Sequence, residues 1–375
     1  MRIALVVPGG VGADGVHEVI PALLSLIERL SEPHEVLVLA TDQAASPARY
    51  TLRGASIVCL GGPRRAGLGR IRVLGIALGR LRHFRPDVIH AFWLGPTSSI
   101  AVIAGRLLGV PVVASVGGGE LVAMPRIGYG GALSRRGRFH ARLALGSAAA
   151  VTAGSGYALG PVLARRSDAR WLPLGATRVA RTIDPAGGAE TNLVRLLVVA
   201  NVNRVKGPEV VIGALARLRR DRGIDAHLDW IGEDTMSGAT ADLARSVGLK
   251  DSVAFRGFAP HTEVLAWMER ADILIQGSYH ESQGVAVLEA AMCGLPTVGT
   301  SVGLLAELAA LAEPAAVAVP VGDVRALADA VAGVIADPGR RARLGSAAQA
   351  WAQAHDADWT AARFEALYAE VARPS

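Results

Sequence analysis

Ile273-Leu274-Ile275-Gln276-Gly277-Ser278-Tyr279-His280-Glu281-Ser282-Gln283-Gly284-Val285-Ala286-Val287-Leu288-Glu289-Ala290-Ala291-Met292 opens as a short apolar run, crosses a polar loop and closes in a helix-like segment. The run at 273–276 has the length of a buried strand, and from Gly284 onward the apolar residues follow a helical period. A buried strand feeding a helix through a short loop is half of a βαβ unit, and repetition of that unit makes a doubly wound parallel sheet. The chemistry sits at the turn. A helix beginning near Gly284 leaves the N–H groups of Gly284 and Val285 free to bind an anion. Glu281 precedes the helix and Glu289 lies inside it. A carboxylate accepts paired hydrogen bonds from sugar hydroxyls, so one glutamate can grip a transferred sugar and the other a ribose. On a helix otherwise apolar at Val285, Val287, Leu288 and Met292, Glu289 is difficult to explain as core filler.

The same alternation runs the length of the chain. Strands are expected at 3–7, 35–40, 56–59, 88–91, 112–116 and 150–153, with helices at 16–30, 68–83, 98–108 and 156–164. After a turn-rich stretch the pattern restarts, with strands at 194–201, 226–231, 253–256, 273–276, 297–298 and 316–319. Helices are expected there at 208–221, 239–247, 262–269, 285–293 and 324–336. The reading is two Rossmann-like doubly wound α/β lobes facing across a cleft: residues 1–177, a linker at 178–193, and a second lobe at 194–350. A helix over 351–375 would cross between the lobes or end the second one.

Composition narrows the class. Of 375 residues 51% are hydrophobic, yet no apolar run approaches the roughly 18 residues of a membrane span. The opening run at 3–7 is broken by Pro8, Gly9 and Gly10, which reads as a first strand rather than a signal peptide. Cys59 and Cys293 have no metal-ligand spacing and suit a reducing compartment, so a cytoplasmic location is expected. Residues 1–185 hold 22 Arg and Lys against 10 Asp and Glu, whereas residues 186–375 hold 17 against 23. The basic first half calls for an anionic or lipid-linked acceptor, or a peripheral membrane contact through arginines such as Arg64, Arg65, Arg70, Arg72, Arg135, Arg136 and Arg138, unless these are simply solvated faces. Aromatics at 5% and the absence of basic-aromatic interleaving argue against nucleic acid.

Only two of the 39 basic residues are lysines, Lys206 and Lys250. Lys206 lies in Ala200-Asn201-Val202-Asn203-Arg204-Val205-Lys206-Gly207-Pro208, between a strand and a helix. A point cation, a helix start and a glycine allowing close backbone approach together suit a diphosphate. Lys250 has no such setting.

Lys206-Gly207, the Glu281 to Glu289 element with Gly284, Cys293-Gly294-Leu295-Pro296-Thr297-Val298 and Val321-Gly322-Asp323 together resemble the C-terminal lobe of retaining glycosyltransferases of family GT4, which have the GT-B fold. The resemblance extends more weakly to Arg85-Pro86-Asp87-Val88-Ile89-His90-Ala91, Gly109-Val110-Pro111-Val112-Val113 and Leu172-Pro173-Leu174-Gly175. It implies transfer of a sugar from a nucleoside-diphosphate sugar to an acceptor hydroxyl, with retention and without metal or other cofactor. It further implies that Lys206 meets the donor diphosphate, Glu281 the sugar and Glu289 the ribose, with Gly284 and Val285 supplying backbone donors and Ser282 and Gln283 assisting. The loop holding Gly10 and Gly12 resembles the first-lobe loop that approaches donor and acceptor.

Three positions depart from the family pattern. Asn201 stands where an arginine is common, so Arg204 would have to reach the diphosphate. Gly117 stands in place of a first-lobe histidine, which makes Glu120 the candidate for acceptor activation, or else a residue of a turn into a helix cap. Gln283 replaces an aromatic. His90 ends a strand and reads either as a site residue or as a hydrogen-bonded structural histidine. Asp356-Ala357-Asp358 reads as a helix cap rather than a metal site. A nucleotide-sugar epimerase and a non-catalytic nucleotide-sugar-binding subunit are the alternatives, the latter motivated by Asn201 and Gly117.

Overall fold

A computed structural model describes residues 1–61, 68–178 and 193–372. Arg64, Arg65 and most of the expected linker lie outside the described residues. The chain divides into two compact units, Met1–Thr177 with His355–Ser375, and Arg178–Ala354.

In the first unit the elements run β1 (Arg2–Val7), α1 (Pro21–Ser31), β2 (Glu35–Ala40), β3 (Ala48–Leu52), β4 (Ala55–Cys59), α2 (Leu68–Phe84), β5 (Val88–Phe92), α3 (Pro96–Leu108), β6 (Val112–Val116), α4 (Arg135–Ser147), β7 (Ala150–Ala153), α5 (Gly156–Leu163) and β8 (Arg170–Trp171). Among the described residues the sheet has the order β3-β4-β2-β1-β5-β6-β7-β8, parallel except where β3 pairs with β4. Side chains of β1 alternate between two cores. Ala4 and Val6 pack with α2, α3, α4 and α5 on one face, while Ile3, Leu5 and Val7 pack with α1 on the other. Both faces are therefore covered, as a parallel sheet requires.

The second unit continues with β9 (Val194–Val199), α6 (Pro208–Arg222), β10 (Ala226–Ile231), α7 (Ala239–Ser246), β11 (Val253–Gly257), α8 (His261–Arg270), β12 (Ile273–Gln276), α9 (Val285–Met292), β13 (Thr297–Thr300), α10 (Gly303–Ala309), β14 (Val317–Val319), α11 (Val324–Ala336) and α12 (Pro338–Ala354). Its parallel sheet has the order β11-β10-β9-β12-β13-β14. The order reverses at β9 and β12, and ligands of doubly wound sheets bind outside the carboxyl ends of the strands at that point. The loops leaving β9 and β12 carry Lys206 and Glu281.

The structure differs from the sequence reading in particular places. The helix expected from residue 16 begins at Pro21, because residues 10–20 form a closed loop in which Ile20 N donates to Gly10 O at 3.0 Å. The edge strand β3, the basic helix α4 and the short helix α10 were not expected. The helix expected over 351–375 is the end of α12 followed by α13 (Ala357–Ala372), which belongs to the first unit. The break falls where Asp356 Oδ1 accepts from Trp359 N at 2.9 Å, capping α13. Phe364, Leu367 and Tyr368 of α13 join α1 in the core of the first unit.

Candidate active site

The loop after β9 is shaped by its own side chains. Asn203 Oδ1 accepts from Lys206 N at 3.3 Å and caps a single tight turn over Arg204–Lys206. Gly207 then takes φ +58°, and a Cβ there would lie 2.1 Å from Gly277 O. Any side chain at 207 would push the two loops apart. A backbone bond from Tyr279 N to Val205 O at 2.7 Å holds them together.

That register brings Lys206 Nζ to 2.6 Å from Glu281 Oε1. Ser278 Oγ donates to the same oxygen at 2.7 Å, and Thr300 Oγ1 donates to Ser278 O at 2.6 Å. Gly284 at the start of α9 has φ +92°, a conformation that turns the chain sharply into the helix. Gly303 permits the close approach of the next loop, since a Cβ there would lie 2.6 Å from Gln283 O. Ser282 and Gln283 are buried beneath this turn. Glu289 is only 6% exposed and has His261 Nε2 2.9 Å from its Oε1. His261, the first residue of α8, was missed in the sequence because a lone histidine at a helix start has no spacing that ties it to Glu289.

The remaining candidates are placed differently. Asn201 Oδ1 accepts from Glu233 N at 3.1 Å and fixes the loop after β10. Arg204 is exposed, with no side-chain partner among the described residues. In the first unit, Gly10 has φ +87° and a Cβ on it would lie 2.7 Å from Ile20, while a Cβ on Gly12 would lie 2.0 Å from His17 O. Gln43 closes this loop, accepting from Val11 N at 2.9 Å and donating to Glu18 Oε2 at 3.0 Å. A hollow of about 420 Å³ lies beside Gly10, Ile20, Asp42 and Gln43.

Glu120 spends its carboxylate on the backbone. Oε1 accepts from Leu94 N at 3.0 Å and Gly117 N at 3.1 Å, and Oε2 from Gly118 N at 2.8 Å. Burial pushes its carboxyl above the ordinary value, against the pull of these donors. Of the two roles expected for Glu120, forming the turn is the one its bonds describe. His90 is fully buried, with Nδ1 2.6 Å from Tyr368 Oη and Nε2 2.7 Å from Ser115 Oγ. Burial lowers its pKa to about 3, and both ring nitrogens are engaged by these partners.

Two family profiles match this arrangement: glycosyl transferases group 1 over residues 180–351 and the glycosyl transferase 4-like domain over residues 19–175. Glycogen synthase of Mycobacterium tuberculosis is 33% identical over 302 residues, covering 76% of this chain and 67% of that protein. The chain belongs to the GT4 glycosyltransferases. This GT4 enzyme also shares its fold with the sucrose-phosphate synthase of Thermosynechococcus elongatus, with a TM-score of 0.81 at 18% identity over 99% of both chains. Anabaena HepE in complex with UDP-glucose superposes with a TM-score of 0.75 at 18% identity, covering 99% of this chain and 100% of the other. The GT4 chain is thus a nucleotide-sugar-dependent transferase of the GT-B fold, in a retaining, metal-independent family. Among the described residues no helix is long and apolar enough to cross a membrane.

Proposed function

We propose that Lys206, Glu281, Glu289 and the N-terminal amides of α9 hold a nucleoside-diphosphate sugar, and that the chain transfers its sugar to an anionic or lipid-linked acceptor. The reading is supported most directly by the 2.6 Å approach of Lys206 Nζ to Glu281 Oε1 beside the N-terminus of α9. Cleavage of the bond from the anomeric carbon to the diphosphate leaves negative charge on the departing phosphate. Lys206 and the N–H groups of Gly284 and Val285 stabilise that charge. Glu281 accepts from hydroxyls of the sugar, and Glu289, oriented by His261, accepts from the ribose. Ser278 keeps Glu281 in place, while exposed Arg204 is free to swing toward the diphosphate.

For retention, the acceptor hydroxyl attacks on the face that the diphosphate vacates, and the departing phosphate oxygen takes the hydroxyl proton. Glu120 shapes the Gly117–Gly118 turn rather than removing that proton. The hollow beside Gly10 is the place for part of the acceptor. UDP-glucose in HepE makes uridine the first base to test. Cys59 and Cys293, both buried and outside any disulfide, suit a cytoplasmic enzyme, working at the inner face of a membrane.

A thermal-shift screen against UDP, GDP, ADP, dTDP and their sugars, repeated with Lys206→Ala, tests the donor assignment. A base-selective rise in melting temperature that disappears in the variant is expected. An equal rise in the variant would remove Lys206 from the donor site.

A further inference from the structure

The first unit carries an unusual distribution of charge. Residues 43–167 contain seventeen arginines and only two acids, Asp87 and Glu120. Asp87 stands just before β5, at the amino ends of the strands, away from the first turns of the helices. Asp87 accepts from Arg2 N at 2.7 Å, and Glu120 is held by its three backbone donors.

Within this basic stretch, α2, α3 and α4 lie side by side on one face of the sheet, buried through Val73, Ala77, Ile100, Ala104, Ala141 and Ala144. Helices of a parallel α/β sheet run opposite to its strands, so the first turns of these helices stand at the carboxyl ends of the strands. There the outer surface is apolar as well as basic. Ile71 is 68% exposed, Phe139 61% and Leu133 40%. Arg70 Nη1 lies 3.3 Å from His140 Nε2, so the residues next to Ile71 and Phe139 touch. Arg72, Arg135, Arg136 and Arg138 are exposed around them.

One exposed isoleucine or phenylalanine is ordinary on a protein surface, but here the two stand on helices whose adjoining residues touch, among exposed arginines and without a neighbouring acid. The combination matches the interface of an anionic bilayer, where apolar side chains enter the acyl boundary and guanidinium groups pair with lipid phosphates. We propose that the N-terminal ends of α2 and α4 form a membrane-docking platform, with Ile71 and Phe139 inserting beneath a collar of Arg72, Arg135 and Arg136. The choice of surface deepens the acceptor reading above and rests on it only for purpose. The platform stands at the same edge of the sheet as the Gly10 loop and Glu120, where a lipid-borne hydroxyl would need to be presented.

Flotation of the full chain with vesicles of phosphatidylcholine alone, and with phosphatidylglycerol added, tests the platform. Binding to the anionic vesicles only is expected. Arg135→Gln with Arg136→Gln should weaken it about fivefold per arginine, and Ile71→Ser with Phe139→Ser should weaken it at least tenfold while leaving the melting temperature unchanged. Wild-type protein that stays unbound, or that floats equally with neutral vesicles, overturns the proposal. So does a serine variant that binds like the wild type, since charge alone would then account for adsorption. The donor-induced thermal shift, read on the same variants, must persist. Its loss in the wild type would count against the donor site and not against the platform.

Discussion

Lys206 and Glu281 neutralise one another across 2.6 Å before any donor arrives, so a diphosphate must take the lysine away from the glutamate. Glu281→Gln therefore frees the cation. Its affinity for a nucleoside diphosphate lacking the sugar should rise about fivefold, the worth of a partly exposed ion pair. Sugar transfer by the same variant should fall by about a hundredfold or more. Calorimetric titration with the diphosphate, beside a transfer assay, reads both. Weaker diphosphate binding in Glu281→Gln would show that the pair does not compete with the donor.

Gly207 is fixed by geometry rather than by chemistry. Its φ of +58° and the 2.1 Å approach of a Cβ to Gly277 O mean that Gly207→Ala separates the Lys206 and Glu281 loops. The cost should be about 1–3 kcal/mol, visible in denaturant melts, with donor binding lost in parallel. Gly248→Ala, at a positive-φ glycine with open space around it, should cost less and leave donor binding intact.

Glu120 can be assigned by a conservative change. An amide oxygen in the place of Oε1 can still accept from Leu94 N and Gly117 N, with only the bond from Gly118 N lost, so Glu120→Gln should retain transfer within about tenfold. Glu120→Ala leaves those N–H groups unpaired and should cost about 1–3 kcal/mol of stability. If kcat of the glutamine variant instead falls by about a thousandfold at unchanged melting temperature, Glu120 is a proton acceptor after all.

His90 makes the fold acid-sensitive. Its folded pKa of about 3 lies below the ordinary 6.5, so between these values the unfolded chain binds a proton that the folded chain refuses. The contribution is complete above pH 6.5 and is lost as pH falls toward 3, amounting to about 2 kcal/mol between roughly pH 7 and pH 5. Urea unfolding of His90→Gln at both pH values should show a stability difference smaller by that amount. An unchanged difference would mean that other groups set the acid sensitivity.

The buried βα units were legible because a strand covered on both faces is a continuous apolar run, as at 35–40, 112–116 and 273–276. Half-exposed β3, with Arg49 and Thr51 pointing out, has no such run. The first turn of α4, Arg135-Arg136-Gly137-Arg138, is mostly arginine, which hides its helical period. Lys206, Glu281 and Glu289 could be picked out because each is a rare charge in an apolar or loop setting. What the sequence does not encode locally is which backbone groups a side chain will find. The three donors on Glu120 come from two loops, and the Tyr368 partner of His90 lies 278 residues away.

Helix α13 gives the chain an awkward order of assembly. Residues 1–177 leave the ribosome first, yet the core they form includes Phe364, Leu367 and Tyr368, and Gly175 packs directly against the Asp356 backbone. The first-made sheet thus waits, with one flank bare and His90 lacking its phenol partner, until all of the second unit has been synthesised. A nascent chain paused after residue 354 would hold a finished second unit beside an unfinished first one, and that interval is when a chaperone would have most to cover.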